Sequence, residues 1–422
     1  MCAHTQTPRK RVQDMKQSQA KNPLALPLPV YLSTATTNYA SSKAAWQLWK
    51  SGLLHWNPAL KSQAAALLKP PSVNNLRADA AFEDTAHTRL IHFLEGIKFY
   101  LETPAPEVPR LPRACLWQEG STQLLDYGSV RARKADKPAI LFIPSLINKS
   151  YILDLMPDRS LLQYLSDEGF HPLLLDWNEP SVAETSFTLE DYITQRVEPA
   201  LEEAQRLLGR KVVLAGYCMG GLLAMAAALR KKQHVQGLVL LATPWDFQAS
   251  DVSRIALGSS AIHTLENLLM QAPLLPAATV HALFYFMNPF AVHRKFERLY
   301  ALSEHEECPV LLARERWVND GIPLTREVAR TCFIDWAANN TLVEGEWNVD
   351  GTTINPAALR TPTFIALPKY DQIVPPACAT PLAKKVKGAR TVSCPSGHVG
   401  MIVGRSARES LWLPLAKWLQ SL

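Results

Sequence analysis

One cysteine in this chain stands in surroundings that would activate it. The run Gly216-Tyr217-Cys218-Met219-Gly220-Gly221 follows the apolar segment 211–215 (KVVLA) and leads into the Ala/Leu-rich segment 222–232. Strand, sharp turn and helix in that order are the setting of the G-x-S-x-G nucleophile elbow, here with Cys for Ser. Such a turn is strained and crowds the backbones on either side of the nucleophile, so small residues must flank it. It lifts the thiol above a sheet and aims a helix N-terminus at it, and the positive end of the helix dipole favours thiolate. A Gly-rich turn around a buried Cys can give the same letters by chance; the strand before and the helix after favour the elbow.

A thiol nucleophile needs a base, and the base needs an orienting acid. In an α/β-hydrolase fold these follow the nucleophile along the chain, acid first and histidine second. Asp371 lies just beyond the strand candidate 363–367 (TFIAL), in LPKYDQIVPP, and His398 lies in CPSGHVG beyond the strand candidate 390–393. His398 is also the only histidine after His305. Alone, each would be ordinary: Asp is common in turns, and a Gly-His turn is more often structural than catalytic. In this order behind Cys218 they read as a Cys218, His398, Asp371 triad. The oxyanion of a tetrahedral intermediate would be held by the amide of Met219, directly after the nucleophile. A second amide would come from the loop after strand candidate 139–143 (AILFI), from Leu146 or Ile147.

Positioning such a triad takes a mostly parallel sheet with helices on both faces, and the apolar pattern supplies one. Short apolar runs at 139–143, 172–175, 211–215, 237–242, 363–367 and 390–393 alternate with helical stretches at 160–168, 189–208, 222–232 and 407–419. The alternation stops over 245–355, a stretch rich in Leu, Ala, Phe and Trp that reads as a helical cap (lid) inserted over the active face. The α/β-hydrolase core is then 111–244 together with 356–422. Ahead of it, 36–110 reads as an N-terminal helical region, with helices over 41–56 and 81–101 broken at Pro70-Pro71 and a Pro-rich linker at 104–112. The apolar faces of those helices are expected to pack on the main domain or a partner subunit, or to meet an amphiphilic surface. Residues 1–35 read as a basic, polar, disordered tail in preference to an organelle transit peptide.

Composition narrows the classes further. With 47% apolar and 19% charged residues the chain can bury a sizeable core. A formal charge of +6 over 422 residues is too small to point to nucleic acid. No zinc spacing, Arg-rich stripe or RNA-recognition signature accompanies it; the excess is compatible with attraction to anionic surfaces or to phosphates such as those of CoA. The seven cysteines are odd in number, widely spaced and without C-x-x-C. They read as small buried hydrophobes of a reducing, cytoplasmic compartment and not as a disulfide framework. No secretory signal is expected, and no transmembrane segment, since no apolar run reaches the roughly 18 residues a span needs.

Taken together, these motifs resemble the polyhydroxyalkanoate synthases. Residues 143–155 (IPSLINKSYILDL) are similar to that family's loop P-x-x-I/V-N-x-x-Y-I/M-L-D-L. Asp176-Trp177 resembles the D-W of the compact, class III-type catalytic subunits, and GYCMGG, YDQIVPP and GHVG are similar to the family's nucleophile, acid and histidine motifs. Trp317-Val318-Asn319-Asp320 with Asn339-Asn340 resembles a segment of that class's cap. The similarity runs in order over about residues 110–420. It departs at Gln372, where the family often has His, and in the 110 residues before the core, longer than in the compact class and shorter than in class I. The resemblance implies an acyltransferase that polymerises (R)-3-hydroxyacyl-CoA into polyhydroxyalkanoate through an acyl thioester on Cys218, releasing CoA. His398 would move the protons; Asp371 would orient His398 or help activate the acceptor hydroxyl. It implies no metal or resident cofactor, with coenzyme A entering as a thioester substrate and leaving as product. The implied partners are the growing polyester, a second copy of the chain or an accessory synthase subunit, and the surface of cytoplasmic polyester granules. An acyl-CoA thioesterase or polyester hydrolase on the same scaffold is the alternative.

Overall fold

The computed structural model describes residues 22–55, 73–104, 112–128, 137–249 and 259–422. Its main sheet has eight strands: β1 (Ala114–Glu119), β2 (Thr122–Asp126), β3 (Ala139–Ile143), β4 (His171–Asp176), β5 (Val212–Tyr217), β6 (Val235–Leu241), β7 (Thr363–Pro368) and β8 (Arg390–Cys394). The spatial order is β1-β2-β4-β3-β5-β6-β7-β8. β1 and β2 form an antiparallel hairpin, β2 runs antiparallel to β4, and the remaining pairs are parallel. β3 and β5 are buried along their whole length. A parallel sheet covered on both faces has no solvent side, which is why these strands read as unbroken apolar runs.

The expected strands from 139 onward coincide with β3 to β8. The β1–β2 hairpin was not anticipated, because its residues ACLWQE and TQLLD mix polar and apolar types on a half-exposed edge. The helix Met219–Arg230 follows β5 directly and is buried except at its end. Ser160 caps the helix Leu161–Asp167 by accepting from the Gln163 amide at 2.9 Å. The stretch read as one helix over 189–208 is continuous but contains a π-helical turn, Ile193–Val197.

By their contacts the described residues form two compact units, one within 107–287 and 317–422, the other within 1–106 and 288–316. The second holds the helices Leu28–Lys50, Val73–Glu102 and Pro289–Ala301. Phe296 is fully buried at its centre, with the rings of Tyr31, Phe93 and Tyr100 at 5.9, 5.8 and 6.1 Å. Gly96 permits the approach: a Cβ there would lie 2.1 Å from the Phe296 carbonyl oxygen.

Two expectations are corrected here. The first helix begins at Leu28, inside the stretch read as a disordered tail to residue 35. Pro29 presets its first turn, and the burial of Tyr31 and Ala35 outweighs a Ser/Thr-rich composition that favours helix weakly. The stretch 245–355, read as one cap, is divided, because residues 288–316 pack with the N-terminal helices through Phe296. Those helices thus find their apolar partner within their own unit. The Pro70-Pro71 break, residues 1–21 of the tail and most of the Pro-rich linker lie outside the described residues. No described helix is long and apolar enough to cross a membrane.

Candidate active site

β3, β5, β7 and β8 are parallel neighbours or near neighbours, so their C-terminal ends open on one edge of the sheet, the edge where ligands bind in open α/β sheets. Cys218 stands there, between β5 and the helix Met219–Arg230, at φ 57° and ψ −127°. Positive φ is uncommon for a residue with a Cβ and stores strain unless the surroundings enforce it. They do: the Cys218 amide donates to the Leu241 carbonyl at 2.8 Å, and the Cys218 carbonyl accepts from the Gly221 amide at 3.0 Å. The flanking glycines are required by close approach. A Cβ on Gly216 would lie 2.3 Å from the Gly220 carbonyl oxygen, and one on Gly220 would lie 2.1 Å from the Ile143 carbonyl oxygen.

The structure brings Asp371 and His398 together, and both to Cys218. His398 Nδ1 and Asp371 Oδ2 are 2.6 Å apart, both side chains being almost wholly buried. Asp371 Oδ1 accepts from the amides of Ile373 and Val374 at 2.8 and 2.9 Å. With three donors on it, the carboxylate is a fixed acceptor that holds Nδ1 as the protonated nitrogen, leaving Nε2 for other work. Burial alone would lower the pKa of His398. The charges of Asp371 and the Cys218 sulfur, and hydrogen bonds to both, outweigh it and raise the imidazole well above its usual value.

Tyr217, next to the nucleophile, was not singled out from the sequence. Its ring lies 5.1 Å from the His398 ring and its hydroxyl donates to the His398 carbonyl at 3.3 Å, so it fixes the loop that carries the base. Its position beside Cys218 was the available signal.

Of the expected oxyanion groups, Met219 opens its helix, where the first amides have no intrahelical acceptor. Ile147 lines a cavity together with Cys218, and its amide donates to Ser145 Oγ at 3.2 Å. The Leu146 side chain instead belongs to the hydrophobic core and borders a separate cavity with Tyr192 and Leu324. The loop carrying both is held from two sides. Trp177 Nε1 donates to the Pro144 carbonyl at 3.1 Å, and Ser150 Oγ to Asp176 at 2.9 Å, which gives Asp176-Trp177 a supporting role. On the other side the 317–322 segment latches on: Asn148 Nδ2 donates to the Trp317 and Val318 carbonyls, and the Ile322 amide donates to Ile147 O at 2.9 Å. Asp320 accepts from Tyr151 Oη at 2.9 Å and pairs with Lys149 at 3.0 Å. Asn340 braces the chain after β6, accepting from the Phe247 amide and donating to Asp246, both at 3.0 Å.

Two cavities meet at the half-buried Cys218. One, of about 110 Å³, is walled by Met219, Phe247, Leu283, Cys332, Phe333, Trp336 and Cys378 among others, and is almost entirely apolar. The other, of about 120 Å³, borders His398, Asn148, Lys149, His281 and Trp317. Ile147, Phe284 and Ile373 belong to both. Burial pushes the Cys332 thiol far up, and it donates to Met219 Sδ at 3.2 Å, so it is an inert wall residue. Among the described residues no group of three or more His, Cys, Asp or Glu side chains is placed to hold a metal ion.

This geometry can run covalent acyl chemistry, and comparison with known proteins gives it a setting. Residues 138–404 match the family described as the alpha/beta hydrolase fold, and residues 107–165 match the N-terminus of poly-beta-hydroxybutyrate polymerase. The chain is 29% identical over 316 residues to the poly(3-hydroxyalkanoate) polymerase subunit PhaC of Haloferax mediterranei, covering 74% of this chain and 64% of that protein. It is 26% identical to the protein of the same name from Haloarcula marismortui, covering 86% of this chain and 76% of that one. With the protein of that name from Allochromatium vinosum it shares 24% identity over 77% of this chain and 93% of the relative.

Proposed function

We propose, from the premise that this chain belongs to the alpha/beta hydrolase fold family and has poly(3-hydroxyalkanoate) polymerases among its relatives, that it polymerises (R)-3-hydroxyacyl groups from CoA through a thioester on Cys218. The observation that carries this reading is a cysteine on a strained elbow, with a His398–Asp371 pair on one side and an apolar chamber on the other.

In the first step Cys218 sulfur attacks the thioester carbonyl of the substrate and its proton passes to His398 Nε2. The carbon–sulfur bond to CoA breaks, one to Cys218 forms, and His398 returns the proton to the departing CoA thiolate. Exchange of one thioester for another is nearly isoenergetic, which suits Cys better than Ser. In the second step an acceptor 3-hydroxyl attacks the acyl-enzyme, His398 takes the hydroxyl proton and delivers it to the Cys218 sulfur, and an ester bond replaces the thioester. The amide of Met219, with one from the loop that contains Ile147, would hold the oxyanion in both steps. Asp371, buried and engaged by three donors, is suited to orienting His398 and not to contacting a hydroxyl. The apolar chamber keeps water from the acyl-enzyme, which would otherwise be hydrolysed. In this reading no resident cofactor takes part. Its partners are the polyester chain, a second copy or accessory synthase subunit, and the granule surface in the cytoplasm.

The test uses purified protein and (R)-3-hydroxybutyryl-CoA, following CoA release with a thiol reagent and the acyl product by mass, beside Cys218→Ala. Polyester formed in step with CoA, and lost in the variant, is the expected result. CoA release with only free hydroxy acid would move the assignment to a thioesterase.

A further inference from the structure

The apolar cavity beside the nucleophile is walled by three thiols, those of Cys218, Cys332 and Cys378. Acyl transfer uses only the first. The other two differ in kind. Cys332 is sunk in the wall, its thiol donating to Met219 Sδ at 3.2 Å and pushed far up by burial, so it yields thiolate poorly. Cys378 is the third residue of the ten-residue helix Pro376–Lys385, in the turn where the helix dipole favours thiolate.

The place of Cys378 is fixed. Its amide donates to the Pro375 carbonyl at 2.8 Å, and its carbonyl accepts from the amides of Trp245 and Asp246 at 3.0 and 2.9 Å, which pins this helix start to the chain leaving β6. With Val374 and Ala379 it forms a small buried cluster, and Cys218 and Leu367 pack against that cluster. Cys218 meets both conditions for attack by a peroxide, thiolate character and access. The first comes from the helix it caps and from His398; the second from its half-buried place on the cavity.

We infer that Cys218 and Cys378 are a reversible oxidation pair, in which Cys378 closes a disulfide on the nucleophile once hydrogen peroxide has attacked it. In the first step the Cys218 thiolate attacks one peroxide oxygen. A sulfur–oxygen bond forms, the oxygen–oxygen bond breaks, the sulfur is oxidised to sulfenic acid, and the departing hydroxide takes a proton to become water. In the second step the Cys378 thiolate attacks the Cys218 sulfur. A sulfur–sulfur bond forms, the sulfur–oxygen bond breaks, and hydroxide leaves as water with the proton that Cys378 gave up. Two thiols and one hydrogen peroxide thus become one disulfide and two waters. The bond ties the nucleophile elbow to the segment that carries Asp371 and keeps Cys218 from an acyl group. It also stops Cys218 short of sulfinic acid, from which thiol reductants do not recover it. The pair depends on Cys218 as an activated thiol and not on which acyl group it carries.

The experiment treats the full chain, freed of reductant, with hydrogen peroxide. It reads the intact mass of the single chain, a tryptic map made without reduction, and the alkylation of Cys218 after dithiothreitol. Cys218, Cys332 and Cys378 fall in separate tryptic peptides. The parent should lose two hydrogens in mass, show the Cys218 and Cys378 peptides joined, and recover an alkylatable Cys218 on reduction. Cys332→Ser should behave as the parent. Cys378→Ser and Cys378→Ala should instead gain two or three oxygens on the Cys218 peptide and lose the recoverable thiol. A Cys218 peptide joined to that of Cys332, or a parent whose Cys218 gains oxygens with no joined peptide, overturns the pair, and so does a parent whose Cys218 is left unoxidised. The parent map decides these outcomes even where a variant fails to fold.

Discussion

Replacing Asp371 by Asn tests how the buried pair directs the proton. In the native site Asp371 Oδ1 holds the amides of Ile373 and Val374, and Oδ2 holds His398 Nδ1. Asn has one acceptor oxygen, and the two backbone amides require it. Its NH2 group must therefore face Nδ1, which then has to accept. The ring proton moves to Nε2, the nitrogen left to serve Cys218, and His398 can no longer take the thiol proton. An inverted tautomer of this kind lowers kcat about 10⁴-fold in a serine triad, a change of about 5 kcal/mol in the barrier. Single-turnover CoA release at saturating (R)-3-hydroxybutyryl-CoA should fall by that order in Asp371→Asn. A rate within about tenfold of the parent would refute this reading. The same substitution removes a charge that raises His398. A raised pKa stabilises the fold below the unfolded value, about 6.5 for histidine, and the contribution is lost as pH rises through the folded value. The Tm gap between parent and variant should accordingly be widest at or below pH 6 and close in alkali.

Three further outcomes follow from the packing around the site. Gly220→Ala would set a Cβ 2.1 Å from Ile143 O and 2.6 Å from Pro144 O, both main-chain atoms; overpacking of at least about 1–3 kcal/mol should lower Tm by several degrees in a thermal melt, and an unchanged Tm would contradict the close approach. Asp320→Ala removes the anchor of Lys149 and Tyr151 beside the oxyanion loop; kcat should fall about 10²-fold with KM little changed, whereas a change in KM alone would mean that the latch serves binding. Burial raises the Glu184 carboxyl, but hydrogen bonds from Ser181, Arg196 and Ser121 hold it at about 2. Its stabilisation is present above about pH 4.3 and lost as pH falls toward 2, so Glu184→Gln should cost about 3–5 kcal/mol in urea unfolding near neutrality and flatten the acid limb of the stability profile.

The candidate site residues were legible because motif and periodicity agreed. GYCMGG could be read since a β-branched strand precedes it and an Ala-rich helix follows, and Asp371 and His398 since each lies just past a short apolar run. The structure places those three side chains together. What the sequence concealed was of a different kind. The edge hairpin β1–β2 is half exposed and carries no clean alternation. The helix from Leu28 is made of weak formers and stands on tertiary contacts of Tyr31 and Ala35. The π-helix Thr331–Ala338 has no composition to announce it, since one inserted residue per turn leaves the same apolar types in view. The assignment of residues 288–316 to the N-terminal unit depends on where Phe296 packs, which no local pattern states.

The most direct measurement is the intact mass of the protein quenched in acid milliseconds to seconds after mixing with (R)-3-hydroxybutyryl-CoA, followed by peptide mapping. A hydroxyacyl adduct on the peptide containing Cys218, labile to hydroxylamine and absent from Cys218→Ala, is the expected result. CoA release with no adduct on Cys218, or an adduct on Cys332 or Cys378 in its place, would contradict a Cys218 nucleophile.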